Sequence, residues 1–187
     1  MSNFNIKKNA LKIVIIGPQK VGKSVIANSL SEFSHVVTSD YHPTVGCRIL
    51  ELDKQFTGDQ AKKINILSKN NATSVKIELW DMSGDRRYET TWPIAKHEAH
   101  GVIVVLDSET ERFDSTLDEW ISDFCSDIKK DFVMCFSYRK DEKKSASTKN
   151  KQSREYPNLA ICEVTNNMND LLPHFNKLVA KILAGLN

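Results

Sequence analysis

The residues most suited to chemistry form one short segment, Gly17–Ser24, which reads GPQKVGKS and matches the phosphate-binding pattern G-x-x-x-x-G-K-S. Its glycines let backbone N–H groups point at a phosphate chain, Lys23 supplies a positive charge, and Ser24 supplies a hydroxyl ligand for Mg²⁺. A plain glycine-rich turn explains the segment poorly, because lysine followed by serine serves no turn geometry. The residues predicted here to bind a nucleotide are Gln19, Lys20, Val21, Gly22, Lys23, Ser24 and Val25.

Two further motifs supply the remaining ligands for a metal ion. The apolar run Val75–Trp80 is followed by Asp81-Met82-Ser83-Gly84, a D-x-x-G sequence. An aspartate at a strand tip can hold Mg²⁺ through water, and the Gly84 N–H can approach a terminal phosphate closely. A loop threonine, Thr44, can close over the metal as a second hydroxyl ligand. Each motif alone also fits an ordinary turn, but their order along the chain favours a site. The predicted metal ligands are Ser24, Thr44 and, through water, Asp81.

Alternating strand and helix patterns position these motifs. Apolar runs predict strands at 11–16, 47–52, 74–80, 101–106, 132–136 and 159–162. Apolar residues at helical spacing predict helices at 24–33, 88–97, 117–128 and 170–183. The 47–52 run alternates, which indicates an edge strand beside the 74–80 strand. We therefore predict a three-layer α/β fold with a mostly parallel six-stranded sheet, helices on both faces, and ligands beyond the carboxyl ends of the strands.

Length and composition indicate one domain over residues 1–187, with surface insertions near 53–73 and 139–155. The second insertion is basic and is either a solvated mobile loop or a contact for an acidic partner. The net charge of +2 argues against nucleic-acid binding driven by bulk electrostatics. Four widely spaced cysteines indicate reduced thiols and no zinc site. The sequence has no signal peptide, membrane-length apolar run or lipidation motif, so we expect no direct membrane anchor.

With its motifs in this order, the chain resembles small GTPases of the Ras superfamily, and the Rab-like branch in particular. The segments Leu79-Trp80-Asp81 and Ala99–Val105 are also Rab-like. The resemblance runs from about residue 11 to residue 183. It implies a P-loop G domain that binds GTP or GDP with Mg²⁺, in which Gly84 senses the γ-phosphate.

Shorter stretches resemble a narrower group, the Rab-like subunits of the intraflagellar transport B complex. They are the Gly17-Pro18 pair, residues 41–51, the Gly84-Asp85 pair, Glu89 and the Trp92-Pro93 pair. This resemblance implies a location in the cytoplasm and the cilium or flagellum, including the basal body region and the axoneme. It also implies coiled-coil subunits of that complex as partners, bound through the switch surface. The aromatic residues Tyr88 and Trp92 either dock such a partner or pack beneath the switch.

The chain departs from working GTPases in its phosphate loop and after Gly84. Asp85 stands where active members place a water-orienting glutamine, and its negative charge is repelled by the γ-phosphate. We therefore expect Asp85 and the phosphate-binding Lys23 to support hydrolysis only at or below about 10⁻⁴ to 10⁻³ per second. Gln19 is expected to crowd the entry of an arginine finger. Lys20 either faces solvent or places a cation near the phosphates.

Base recognition is altered as well. The family motif N-K-x-D reads Tyr138-Arg139-Lys140-Asp141, and the later S-A-K element begins at Thr165-Asn166. By resemblance, Asp141, Thr165 and the Asn166 backbone N–H are expected to contact the base. Since a lost buried contact costs about 1–3 kcal/mol, we expect a weaker guanine preference, with ATP as a competitor.

The sequence therefore predicts a Mg²⁺-dependent, GTP-binding Rab-like subunit with weak or absent hydrolysis. One alternative is a catalytically competent, cycling GTPase in vesicle or ciliary trafficking. Another is a nucleotide-independent scaffold that has kept only the fold. A small-molecule kinase is disfavoured because it needs an arginine-rich lid, whereas residues 139–155 contain mostly lysine as their basic residue.

Overall fold

Six strands form one sheet in this computed structural model, which describes residues 10–31, 42–57, 72–140, 151–154, 156–165 and 167–186. The strands are β1 Leu11–Ile16, β2 Cys47–Thr57, β3 Ala72–Met82, β4 Gly101–Asp107, β5 Val133–Tyr138 and β6 Ala160–Val164. Their order is β2-β3-β1-β4-β5-β6. β2 pairs antiparallel with β3 at one edge, and the other neighbouring strands pair in parallel. The predicted α/β fold and its edge strand are confirmed.

Helices cover both faces of this sheet. They are α1 Lys23–Leu30, α2 Trp92–Lys96, α3 Phe113–Phe124 and α4 Met168–Leu186, with short 3₁₀ helices at Arg86–Thr91 and Lys130–Phe132. β1 is buried throughout, so its side chains alternate between two apolar clusters. Ile13 and Ile15 pack in the cluster that includes α1 and α4, whereas Val14 and Ile16 pack in the cluster that includes α2 and α3. None of the helices in the described ranges is long and apolar enough to cross a membrane.

All four predicted helices have different boundaries in the structure, and two of them differ most. The 88–97 prediction was wrong as a single helix, because a 3₁₀ helix precedes α2. The Asp85 carboxylate accepts the Arg87 N–H at 3.0 Å and starts the first segment, while Pro93 stands in the first turn of α2, where no N–H is needed. The predicted 117–128 helix begins earlier, at Phe113, whose buried ring lies on the same helix face as Leu117.

The carboxyl ends of β1 and β3 lie side by side and bring the sequence motifs together. Ile15 pairs with Asp81 in the parallel register, so the loop after β1 lies beside the end of β3. The Ser83 N–H donates to the Gly46 carbonyl at 2.8 Å, which ties the Thr44 segment to the same edge. The β2–β3 ladder reaches Thr57 and Ala72, so strand pairing extends into both ends of the predicted 53–73 insertion. The predicted base contacts Asp141 and Asn166 lie outside the described residues.

Candidate functional site

The loop between β1 and α1 depends on glycine at two positions. Gly17 has φ 138° and Gly22 has φ 97°, values that L side chains rarely adopt. A Cβ on Gly17 would collide with the Val105 carbonyl oxygen, and one on Gly22 would lie 2.5 Å from Cε1 of Tyr138. Gly22 caps α1 without a side-chain hydrogen bond. The first N–H groups of α1 therefore remain available to an anion at the positive end of the helix dipole.

Lys23 places a buried positive charge inside this loop. Its side chain is largely buried, and its Nζ donates to the Pro18 carbonyl at 2.5 Å. Burial lowers the pKa of Lys23 to about 8, and the nearby charge of Asp81 partly offsets that effect. A desolvated ammonium group gains more from a bound anion than an exposed one does, because the protein interior screens the attraction less than water. The loop is therefore built to receive a phosphate.

Three elements bring the predicted metal ligands together. Ser24 at the start of α1 shares a hydrogen bond of 2.9 Å with the Thr44 hydroxyl, which lies 3.4 Å from Oδ2 of Asp81. Asp81 is fully buried at the tip of β3. Burial raises the pKa of Asp81, while the Ser24 hydrogen bond and the charge of Arg48 act in the opposite direction. The result is a cluster of two hydroxyl groups and one carboxylate beside Lys23.

This oxygen cluster fits a magnesium ion. Oδ1 of Asp81 is buried and has no hydrogen-bond partner among the described residues. A buried carboxylate oxygen of this kind is costly unless another group satisfies it. Hydroxyl and carboxylate oxygens are the ligands that Mg²⁺ prefers, and a metal-bound water is a suitable partner for Oδ1. The oxygen atoms of Ser24, Thr44 and Asp81 are therefore suitable in kind and position for the predicted metal ion.

Sequence reasoning missed Arg48, which also belongs to this cluster. Its Nη2 donates to Oδ2 of Asp81 at 3.1 Å and to Oδ1 of Asn28 on α1 at 2.8 Å. Arg48 and Asp81 are direct partners in the β2–β3 register. The edge-strand prediction placed Arg48 on β2 but gave no register, so the pairing was not visible. A hairpin register counted from the Thr44 and Asp81 motifs could have revealed it.

Asp85 is held by its own segment. Its carboxylate accepts from the Arg87 side chain at 2.9 Å and 2.6 Å and from the Arg87 backbone N–H. These hydrogen bonds, with a smaller contribution from Gln19, hold the pKa of Asp85 at about 2. The preceding Gly84 packs against the phosphate loop, since a Cβ there would lie 2.5 Å from the Gln19 nitrogen. Both carboxylate oxygens of Asp85 are thus engaged, Oδ1 in capping the 3₁₀ helix and Oδ2 in pairing with the Arg87 side chain.

In the segments predicted to contact the base, here called the base end, the described side chains contact other groups of the protein. Tyr138 is buried and its ring lies against Gly22, so it fills the place of the family's asparagine with an aromatic contact. The Thr165 hydroxyl donates to Asp170 at 2.7 Å and accepts the Asn167 N–H at 3.0 Å. The Thr165 side chain therefore stabilises the turn before α4. Lys140, which is exposed, forms an ion pair with Asp107.

The aromatic residues after Gly84 divide into buried and exposed ones. Trp92 is 8% exposed and packs against Trp120 and Phe124, with ring centroids 5.5 and 5.7 Å apart. Trp92 therefore packs into the apolar cluster beside α3, whereas Tyr88 is only half-buried. Among residues 42–49 and 85–96, the large apolar side chains that are exposed are Val45, Ile49 and Ile94.

The fold and the site together define an α/β domain of the P-loop GTPase class, with the phosphate loop, Thr44 and D-x-x-G at one sheet edge. The model of the family "Ras of Complex, Roc, domain of DAPkinase" matches residues 12–141. The chain belongs to this family of Ras-like GTPase domains, which confirms the resemblance to small GTPases.

The resemblance to Rab-like proteins of intraflagellar transport is confirmed by individual relatives. The chain is 34% identical to the Intraflagellar transport protein 22 homolog of Danio rerio over 116 residues, which are 62% of this chain and 57% of that protein. It is 35% identical to the Homo sapiens homolog over 113 residues, 60% of this chain and 55% of that protein. The chain thus spans little more than half the length of the curated relatives it matches.

Solved structures support the fold. The T. brucei IFT22/74/81 GTP-bound crystal structure has a TM-score of 0.71 at 23% identity and covers 95% of this chain and 97% of that chain. The T. brucei IFT22 GDP-bound crystal structure has a TM-score of 0.64 at 22% identity and covers 95% of this chain and 98% of that chain. At this identity the likeness concerns the fold alone.

Proposed function

We propose that this chain binds GTP and GDP with Mg²⁺, using residues 19–25 for the phosphates. Ser24 and Thr44 would be direct metal ligands, and Asp81 would act through water. The observation that carries the proposal is the buried Oδ1 of Asp81, which lacks a partner among the described residues beside two hydroxyl groups and Lys23. The GTP-bound and GDP-bound T. brucei IFT22 crystal structures agree with guanine nucleotides.

The residues of the chain divide the work of holding the phosphates. Lys23 and the N–H groups at the start of α1 supply positive potential, and the Gly84 backbone lies against the loop where a terminal phosphate would end. A bound Mg²⁺ ion would neutralise negative charge on the phosphate oxygens. We propose Asp141, Thr165 and Asn166 as the residues of the base end, where the Thr165 hydroxyl would act by stabilising the turn before α4.

We propose that hydrolysis is slow or absent. With its pKa at about 2, Asp85 is ionised at neutral pH, and Arg87 occupies both of its oxygens. It cannot offer an attacking water the donor of an amide side chain. The intrinsic rate should not exceed the superfamily range of about 10⁻⁴ to 10⁻³ per second. Single-turnover hydrolysis of GTP measures this rate, and a value tenfold above that range would contradict the proposal.

The proposed cellular role is that of an intraflagellar transport B complex subunit, in the cytoplasm and in the cilium or flagellum. Curated relatives carry intraflagellar transport names, and one solved relative is the T. brucei IFT22/74/81 complex. We propose that coiled-coil subunits bind the switch surface, here defined as residues 42–49 and 85–96, where Val45, Ile49 and Ile94 are exposed.

Nucleotide content is the decisive experiment for the binding proposal. The purified protein would be denatured and the released nucleotide identified, for wild type, Ser24→Asn and the control Ser122→Asn, an exposed serine on α3. Wild type and the control should release GTP or GDP, and Ser24→Asn should release little. The proposal fails if wild type contains no nucleotide and binds neither GTP nor GDP in the presence of Mg²⁺.

A nucleotide-independent scaffold is the second candidate, and the aromatic cluster favours it. Trp92 is fixed on Trp120 and Phe124, contacts that lie away from the phosphate loop. Binding to the coiled-coil subunits would be measured for wild type, Ser24→Asn and Ile94→Glu. The control is Ala184→Glu, at the exposed end of α4. Equal binding by wild type and Ser24→Asn, with loss in Ile94→Glu, would favour the scaffold.

A further inference from the structure

Arg48 on β2 joins three elements, because its side chain contacts both β3 and α1. One terminal nitrogen, Nη2, donates both to Asp81 on β3 at 3.1 Å and to Asn28 on α1 at 2.8 Å. The Arg48 side chain is 33% exposed, while that of Asp81 is fully buried. The arginine therefore covers a buried carboxylate from the solvent side and fixes it to the neighbouring helix.

The contact uses only one oxygen of the carboxylate. Arg48 and the Thr44 hydroxyl both approach Oδ2, whereas Oδ1 has no partner among the described residues. A buried carboxylate is stable as an anion only when a positive charge lies nearby. Arg48 supplies such a charge through a contact that leaves the second oxygen available for a metal-bound water.

We propose that Arg48 is a positioning residue that shares Asp81 with Mg²⁺ and makes nucleotide retention less dependent on the metal. The inference rests on the proposed function and deepens it. When Mg²⁺ is removed, Arg48 keeps Asp81 compensated and keeps the Thr44 segment on α1 through Asn28. Without Arg48, the charge of Lys23 still offsets Asp81 in part, but the phosphates draw on the same ammonium group, so removal of the metal leaves them beside a less compensated negative charge.

The test is the dissociation rate of fluorescent GDP, measured with Mg²⁺ and again with excess EDTA. The proteins are wild type, Arg48→Met, Arg48→Lys and the control Lys76→Met, which removes an exposed cation from β3. Removal of Mg²⁺ should accelerate release less than about tenfold in wild type and in the control. It should accelerate release about a hundredfold or more in Arg48→Met, within the usual range of coupling between two ligands. Arg48→Lys should fall between them.

Equal acceleration by EDTA in wild type and Arg48→Met would overturn the inference while leaving the nucleotide proposal intact. Failure of wild type to bind GDP even with Mg²⁺ would overturn both. Thermal unfolding with bound GDP and Mg²⁺ checks that Arg48→Met is folded. If it is not folded, Arg48→Lys and Asn28→Ala decide in the same way. Arg48→Lys replaces the guanidinium group with a single ammonium group, and Asn28→Ala removes the second acceptor of Arg48, so each should raise the dependence on Mg²⁺.

Discussion

The phosphate end and the base end of this site lie at the same edge of the sheet, yet the chain treats them differently. At the phosphate end, Ser24, Thr44 and Asp81 come within hydrogen-bond distance of one another beside a buried lysine. At the base end, Tyr138 packs on Gly22 and the Thr165 hydroxyl is engaged with Asp170. The side chains at the phosphate end converge on one position where a ligand can bind. At the base end, Tyr138 and the Thr165 hydroxyl contact other groups of the protein instead.

The difference has a physical cause. Phosphate binding uses backbone N–H groups, a helix terminus and one lysine, and the fold of the loop after β1 places these groups together. Base recognition needs particular side-chain donors and acceptors, and an aromatic ring cannot replace an amide.

The largest expected effect concerns the stability of the base end. Tyr138→Ala removes a buried ring that fills the space against Gly22, so the free energy of unfolding should fall by about 3–5 kcal/mol. Chemical denaturation measures the loss, with Tyr88→Ala, at a half-buried position, as the control that should lose less. Similar losses in both variants would mean that the Tyr138 ring does not support the loop.

The next effect concerns the phosphate end. Lys23→Ala removes the buried ammonium group, and GDP affinity should fall by about 1.5–3 kcal/mol, since hydrogen bonds to charged groups contribute that much. Lys140→Ala is the matched control, because Lys140 is exposed and paired with Asp107 at the base end. Fluorescent nucleotide titration measures both. If the two lysines matter equally, the contrast between the two ends is wrong.

A smaller effect follows from the pKa of Lys23. Burial lowers this pKa to about 8, so the free protein loses the charge as pH rises through 8, whereas a bound phosphate favours the charged form. GDP affinity should therefore fall by up to about tenfold between pH 7 and pH 9. The same titration with Lys23→Met should show little change over this range. A pH dependence that persists in Lys23→Met would assign it to another group.

The smallest expected effect concerns Thr165. Thr165→Val removes the hydrogen bonds to Asp170 and to the Asn167 N–H, and it should reduce the free energy of unfolding by about 1 kcal/mol. Nucleotide affinity should change less than about twofold, because the hydroxyl is engaged within the turn. A large loss of affinity with unchanged stability would show that this hydroxyl contacts the base directly.

Much of the fold could be predicted because the strands are continuous apolar runs with punctuating loops. The phosphate loop and D-x-x-G motif were also visible, since their spacing is local. Two features depended on tertiary structure instead. The Arg48–Asp81 contact needed the hairpin register, and the early start of α3 needed a partner surface for Phe113. The division of the 88–97 helix is different, because the Asp85 cap and Pro93 are local signals that the apolar pattern alone did not use.

Nucleotide affinities in a matched series test the central claim most directly, namely that the phosphate end carries the binding. The dissociation constants of GTP, GDP, GMP and ATP would be measured for wild type with Mg²⁺. Loss of the two outer phosphates, from GTP to GMP, should cost more than about a hundredfold, whereas the change of base, from GTP to ATP, should cost less, in line with about 1–3 kcal/mol for a lost buried contact. A larger penalty for ATP than for GMP would contradict the account.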